Sequence, residues 1–136
     1  EVTSFPAGDS AGALLSALPH SGIDAMMGTG GIREGILSAC AARALGAEFQ
    51  GRIDPQLQSE QMAVKQAGFD VTRWMPAEEL VASADTFFCA TGITTGLLLE
   101  GVEHTEGHDR VQTLLIAGPT GDSQLQTTWR RHPSTV

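Results

Sequence analysis

The stretch 28–35 carries the residue types best suited to chemistry. A short apolar run, 23–27, is followed by Gly28, Gly30 and Gly31 and then by Glu34. The residues that follow are apolar at helical spacing, so the glycines are predicted to lie where a strand turns into a helix. The first turn of a helix has unpaired backbone N–H groups and the positive end of the dipole, which suit an anion such as phosphate. A carboxylate beside bound phosphate in turn suits a divalent cation.

Taken alone, this glycine turn leaves two interpretations open. It is not a P-loop, because no Gly-Lys-Ser/Thr follows, and Arg33 stands where a dinucleotide-binding motif has its third glycine. Either the turn binds an anion and a metal, with Glu34 as a ligand, or it is purely structural and Glu34 is a solvated charge that matches the helix dipole. In both interpretations the glycines permit close backbone approach and positive φ values.

The composition indicates an acidic globular protein. Of the 136 residues, 41% are hydrophobic and 18% are charged, which predicts a single domain with a buried core. The net charge is −8 and Lys65 is the only lysine, which argues against nucleic acid as a partner. No apolar run approaches the length of a membrane span. Cys40 and Cys89 are interpreted as small buried hydrophobic residues in a reducing compartment.

Periodicity predicts an α/β domain over 1–130 that ends in antiparallel β structure, with a frayed tail over 131–136. Helices are predicted at 11–18 with Asp9 as N-cap, from about 33 to 46, from 54 to 68 and at 76–81. Strands are predicted at 23–27, 47–53, 86–90 and 111–117, the last with a hairpin partner at 124–129. The run 86–90 is continuously apolar, which predicts a strand buried on both faces.

Four blocks of residues together resemble a known family. They are Gly8-Asp9-x-Ala11-Gly12-Ala13-Leu14, Asp24-Ala25-Met26-Met27-Gly28-Thr29-Gly30-Gly31-x-x-Glu34-Gly35, Ala44-Leu45-Gly46-Ala47-Glu48-Phe49-Gln50-Gly51-Arg52, and Phe87-Phe88-x-Ala90-Thr91-Gly92-Ile93-Thr94-x-Gly96-x-Leu98-Leu99-x-Gly101-Val102. In this order and spacing they are similar to the C-terminal part of class II fructose-1,6-bisphosphatases, including the bifunctional fructose-1,6-/sedoheptulose-1,7-bisphosphatases of cyanobacteria.

The resemblance implies a sugar-phosphatase fold related to inositol monophosphatases and a metal-dependent enzyme that removes the 1-phosphate from a sugar bisphosphate. It implies that Glu34 is a metal ligand, for Mg²⁺ or Mn²⁺, and that the backbone of Gly31 contacts substrate. It also aligns Gly8 and Asp9 with the end of an Asp-Gly-Asp substrate-contact motif. Since the family's other metal carboxylates and catalytic threonine belong to an N-terminal half, no catalytic residue is assigned within these residues, and we expect that residues precede this chain.

Several positions depart from the family pattern. Ala7 stands where the family has the first Asp of Asp-Gly-Asp, and Arg33 replaces a proline beside the metal-binding glutamate. Thr95 and Leu97 replace acidic residues. With Ala7 in place of that Asp, one sugar-hydroxyl or phosphate-network contact that the resemblance implies is lost.

The remaining polar and aromatic candidates are weaker. His104 and His108 are four residues apart, but Gly107 lies between them, so the stretch 103–109 is interpreted as a solvated loop, with metal binding a second interpretation. Trp74 and Trp129 are interpreted as core or interface residues.

Two functions therefore remain as hypotheses. The chain is the C-terminal portion of a sugar bisphosphatase that is active only with the rest of the enzyme, or it is a non-catalytic subunit derived from one. The expected partners are a sugar bisphosphate and the N-terminal half or another protein chain within an oligomer. The expected location is the cytoplasm or the plastid stroma.

Overall fold

The computed structural model describes residues 1–4 and 9–132, and only the backbone of Asp9. Four helices and six strands follow one another along these residues. They are α1 (Asp9–Ala17), α2 (Ile32–Leu45), β1 (Gln50–Gly51), α3 (Gln58–Ala67), β2 (Met75–Pro76), α4 (Ala77–Leu80), β3 (Phe87–Thr91), β4 (Glu103–Thr105), β5 (His108–Ala117) and β6 (Asp122–Arg131).

Strand β5 organises a four-stranded antiparallel sheet. Strand β6 pairs with β5 along its whole length, from His108 opposite Arg131 to Ala117 opposite Asp122. On the other edge of β5, β3 and β4 lie end to end and pair with its C-terminal and N-terminal parts. A second, two-stranded antiparallel sheet joins β1 to β2. The structure is α/β with antiparallel sheets, as predicted.

The core lies between α1, α2 and one face of the larger sheet. Leu114 and Ile116 of β5 point from that face onto Leu14 of α1 and onto Ala41 and Ala44 of α2. Alanine side chains let α2 approach the sheet closely, and β5 follows the alternation expected of a strand with one covered face. The opposite face, which carries the odd-numbered residues of β5, is called the open face below.

Both long helices after α1 end where the sequence predicts. Gly46 and Gly68 are left-handed, with φ of 68° and 72°, and each N–H donates to carbonyls of the last turn. Glycine adopts this conformation without a Cβ penalty. The predicted start of α3 was wrong by a few residues: Leu57, and not Asp54, occupies the N-cap position. As predicted, α3 lies on the surface and has no buried residue.

The predicted strand at 23–27 is absent, and the segment 23–31 has no regular secondary structure. The apolar run suggested a strand, but no described strand pairs with it, and Met27 is 96% exposed. The predicted strand at 47–53 is reduced to Gln50–Gly51. An extended apolar segment becomes a strand only where a neighbouring strand accepts its hydrogen bonds, which a local pattern does not report.

Strand β3 is not buried on both faces. Phe88 packs toward the core, whereas Phe87 is 75% exposed on the open face. Cys89 lies on that open face and is exposed, and Cys40 is only half-buried, so the prediction of two buried cysteines was wrong. Trp74 and Trp129 are also more than half exposed, which excludes a core role for either.

The stretch 103–109 is not a loop. Strands β4 and β5 form a tight hairpin in which Thr105 pairs with His108, and Gly107 with φ of 80° occupies the turn. At the far end, Arg131 belongs to β6 and the His132 N–H donates to the Gly107 carbonyl at 2.9 Å. Residues 133–136 of the predicted tail lie outside the described part of the chain. No helix within the described residues is long and apolar enough to cross a membrane.

Candidate functional site

The N-terminus of α2 brings Gly31 and Glu34 together. Gly31 is the N-cap residue, in extended conformation, and its carbonyl accepts a hydrogen bond from the Gly35 N–H at 2.9 Å. Glu34 therefore lies in the first turn, as predicted. One turn later, the Ser38 hydroxyl donates to the Glu34 carbonyl at 2.8 Å, and Ser38 itself is buried. This hydrogen bond lies within α2, and the buried Ser38 belongs to the face of the helix that packs against the rest of the protein.

The Glu34 side chain folds back over the residue that caps the helix. A Cβ atom placed on Gly31 would lie only 2.2 Å from Glu34 Oε2. Any side chain at position 31 would therefore displace the carboxylate from this position. The two residues that the sequence singled out for metal and substrate contact lie directly against each other.

A comparison with α3 shows that the Glu34 carboxylate is not used as a cap. Glu60 occupies the same position in α3, and its carboxylate accepts hydrogen bonds from the Gln56 and Leu57 N–H groups at 3.0 and 3.1 Å. Within the described part of the chain, the Glu34 carboxylate has no such hydrogen bond and no ion-pair partner. It is exposed and available as a ligand, and carboxylate oxygen is what Mg²⁺ and Mn²⁺ prefer.

The prediction that glycines of 28–31 adopt positive φ values was wrong. Among the described residues, positive φ occurs at His20 and at Gly22, Gly46, Gly68, Gly107 and Gly121, and at none of the glycines of 28–31. Gly31 has φ of −66°, which any residue can adopt. A side chain at this position would therefore act through the carboxylate of Glu34, which it would move, and not through the backbone conformation.

The structure describes little of the two other residues that were predicted to contact substrate. Gly8 lies outside the described residues. Asp9 begins α1, and nothing about its side chain is described. Neither of two surface clefts, one beside α4 and one beside α3, includes Gly31 or Glu34 in its lining. Neither of these two clefts therefore encloses the start of α2.

A second group of ligand-type side chains lies at the end of the sheet. The Asp109 Oδ1 atom is 2.7 Å from His104 Nδ1 and 2.8 Å from His132 Nε2. Hydrogen bonds from His132 and His104 hold the pKa of Asp109 below its ordinary value. The sequence paired His104 with His108, four residues away, and missed this group. The register of β4 against β5 was the information it lacked.

On the covered face of the same strands, Arg110 forms a charge network. Its Nε and Nη1 atoms each lie 2.6 Å from a carboxylate, that of Glu103 and that of Glu100. Hydrogen bonds from Glu103 and Glu100 raise the pKa of Arg110 above its ordinary value. Both carboxylates are already engaged by Arg110, so we interpret the network as structural.

Comparison with known proteins decides the family. The family model described as "Bacterial fructose-1,6-bisphosphatase, glpX-encoded" matches residues 1–130 of the chain. The chain belongs to this family. The resemblance that the four sequence blocks indicated is confirmed.

Individual relatives of the chain are also class II bisphosphatases. Over 131 residues the chain is 36% identical to fructose-1,6-bisphosphatase 2 class 2 of Escherichia coli strain K12, covering 87% of this chain and 41% of that protein. It is 37% identical over 123 residues to a D-fructose 1,6-bisphosphatase class 2/sedoheptulose 1,7-bisphosphatase of Synechococcus sp. strain JA-2-3B'a(2-13), covering 81% and 35%. The chain thus spans about two fifths or less of the length of these relatives.

Steric contacts explain two of the glycines in the family block that runs from β3 to residue 102. Gly92 is buried, its N–H donates to the Gln112 carbonyl at 2.9 Å, and a Cβ on it would lie 2.0 Å from the Glu100 carbonyl oxygen. A Cβ on Gly101 would lie 2.6 Å from the Thr95 nitrogen. These glycines let the segment 92–102 double back on itself beside β5.

Proposed function

We propose that this chain forms the C-terminal part of a metal-dependent sugar bisphosphatase that hydrolyses the 1-phosphate of fructose 1,6-bisphosphate or sedoheptulose 1,7-bisphosphate. The observation that carries the proposal is the Glu34 carboxylate, exposed and unpaired among the described residues, folded over Gly31 at the N-terminus of α2. In this proposal the fold belongs to the sugar-phosphatase type related to inositol monophosphatases. A soluble phosphorylated substrate places the enzyme in the cytoplasm or the plastid stroma.

The geometry of α2 suits this chemistry. The first turn of α2 presents backbone N–H groups and the positive end of the helix dipole, which stabilise a phosphate group. Glu34 provides one hard oxygen ligand for Mg²⁺ or Mn²⁺. When bound, such a cation supplies positive charge that neutralises phosphoryl oxygens and activates water. The role of Gly31 is to leave room for the carboxylate and to let substrate approach the backbone.

The site needs ligands from outside the described residues. Mg²⁺ takes six oxygen ligands, several of them water, and a phosphatase site needs more than one carboxylate around its metal. In the described part of the chain, Glu34 is the only carboxylate at the start of α2 that lies in the family block. The relatives carry more than half of their length outside the region that this chain matches, and we propose that the remaining ligands come from the corresponding residues.

The 136-residue polypeptide by itself is expected to release no phosphate from fructose 1,6-bisphosphate in the presence of Mn²⁺, because a single carboxylate does not hold a catalytic cation. When the same residues replace the aligned C-terminal segment of the E. coli relative, the chimera is expected to be active. Phosphate release is measured by a colorimetric assay, with the intact E. coli enzyme as control. Phosphate release by the isolated chain that depends on Glu34 would disprove the requirement for further ligands.

The alternative function is a non-catalytic binding subunit. The departures at Ala7, Thr95 and Leu97 favour it, since each removes an acidic side chain that the family pattern has. A folded chimera without activity, shown by a cooperative melting transition, would support this alternative over the enzymatic proposal.

In either function we propose that the open face of the sheet is covered by another part of the protein or by another chain. Phe87 and Cys89 of β3 lie on this face and are exposed, beside Leu115 of β5. Strand β6 is also exposed at every residue and leaves one edge of the sheet without a described neighbour. Apolar area of this kind on a sheet face is typical of an interface.

The isolated chain is therefore expected to self-associate through this face, and Phe87→Ser is expected to weaken that association. Phe87 is 75% exposed, and burying a phenylalanine stabilises a complex by about 1.5 kcal/mol or more, roughly a tenfold change in Kd. Phe69→Ser is the control, because Phe69 is 61% exposed but lies after α3, away from the sheet. Sedimentation velocity measures both; a wild-type chain that stays monomeric at high concentration contradicts the expectation.

A further inference from the structure

Three neighbouring segments place ligand atoms around one point at the end of the sheet. His104 lies on β4, Asp109 on β5, and His132 follows the end of β6. Their ligand atoms, His104 Nδ1, Asp109 Oδ1 and His132 Nε2, all lie within 4.8 Å of one another. Both imidazoles are directed at the same carboxylate oxygen, at 2.7 and 2.8 Å.

The strand register explains why these side chains meet. His104 is directly opposite Asp109 in the β4–β5 pair, and Arg130 is opposite Asp109 in the β5–β6 pair. Opposite residues share a face, and so do residues two apart, which brings His132 to the same face. The hydrogen bond from the His132 N–H to the Gly107 carbonyl fixes the backbone of that residue beside the β4–β5 turn.

We propose that His104, Asp109 and His132 bind a divalent transition-metal ion, with Zn²⁺ as the best match. The two imidazole nitrogens are ligands that suit Zn²⁺ far better than Mg²⁺, and Zn²⁺ also accepts a carboxylate oxygen such as that of Asp109. Tetrahedral Zn²⁺ with bonds of about 2.0–2.1 Å places its ligand atoms roughly 3.4 Å apart. The present spacing reaches this arrangement through side-chain rotation: the two N···O distances lengthen and the two nitrogens approach each other.

Binding exchanges protons for the metal. In the hydrogen-bonded arrangement each ligating nitrogen carries a proton that it shares with Asp109. A neutral imidazole frees that nitrogen by changing tautomer, and a charged one releases its proton to solvent. The three residues leave the fourth coordination position of Zn²⁺ to water, since His104 is 76% and His132 is 44% exposed at the side chain.

This site is separate from the one proposed at Glu34. Asp109 lies on the open face of the sheet, whereas α2 packs against the covered face through Leu114 and Ile116. The ligand types also differ, since Glu34 offers only oxygen. The bound ion would join β4, β5 and the end of β6, which is a structural role. The open face is also the face proposed to meet another part of the protein, so the metal lies next to that interface.

Titration of the 136-residue chain with Zn²⁺, followed by calorimetry, tests the proposal. One equivalent is expected to bind. His104→Gln and His132→Gln are each expected to lower the affinity at least roughly tenfold, because the loss of a residue that only hydrogen-bonds to a metal ligand already lowers metal affinity by that factor. Circular dichroism establishes that each variant is folded. Absence of binding to the folded wild-type chain, or unchanged affinity in both variants, overturns the proposal.

Three controls define the site. His108→Gln is expected to leave Zn²⁺ affinity unchanged, because His108 is adjacent to Asp109 and points to the other face of β5. Glu34→Gln is also expected to leave it unchanged, so failure of the bisphosphatase proposal does not affect this result. Arg130→Gln is expected to strengthen binding, since it removes a positive charge opposite Asp109. Displacement of Zn²⁺ by millimolar Mg²⁺ would contradict the proposed ligand set.

Discussion

In the chimera with the E. coli enzyme, Glu34→Gln is expected to lower Mn²⁺-dependent phosphate release roughly a hundredfold or more. An amide does not replace a carboxylate as an anionic metal ligand, and metal stabilisation of the transition state contributes several kcal/mol, with about 1.4 kcal/mol for each tenfold in rate. The rate is measured at saturating substrate over a range of Mn²⁺ concentrations. The loss should be partly recovered at high Mn²⁺, because the defect lies in metal binding.

Glu60→Gln is the matched control, since Glu60 occupies the same helical position in α3. Its carboxylate accepts two backbone hydrogen bonds, so this variant is expected to lose some stability and to keep its activity. The Glu34 variant should instead keep its stability and lose activity. Its stability should change little because an exposed carboxylate in the first turn contributes only about 0.3–1 kcal/mol through the helix dipole. If Glu34→Gln unfolds the domain while Glu60→Gln does not, Glu34 is a structural residue and the metal assignment is wrong.

The second large effect is expected at Gly92. Gly92→Ala places a Cβ atom 2.0 Å from the Glu100 carbonyl oxygen, and a backbone atom cannot move aside as a side chain can. Overpacking of this kind costs about 3 kcal/mol. For a chain of this size that lowers Tm by roughly 10 °C. Thermal unfolding followed by circular dichroism measures the change.

Gly96→Ala provides the comparison within the same segment. A Cβ on Gly96 meets no atom within 4 Å. This variant is expected to match the wild type or to be stabilised by up to about 1 kcal/mol, through the lower entropy of the unfolded chain. Equal destabilisation by the two substitutions would show that the segment 92–102 does not double back as the structure has it.

The sequence by itself determined the features that depend on neighbouring residues. The helical spacing after Gly31 and the glycines at 46 and 68 predicted where α2 begins and where α2 and α3 end, because capping is decided within one turn. The turn after β5 and its hairpin partner were predicted for the same reason. The four blocks were also sufficient to indicate the family, since their order and spacing are more specific than any one motif.

The tertiary structure decided what depends on pairing between distant segments. The apolar run 23–27 was predicted as a strand but has no described partner, and the strand predicted at 47–53 pairs with β2 only at Gln50–Gly51. The contact of Gly31 with the Glu34 carboxylate was not visible in a pattern that suggested positive φ and close approach of the backbone to a ligand. The meeting of His104, Asp109 and His132 required the register of three strands, which long-range hydrogen bonding sets and local spacing does not contain.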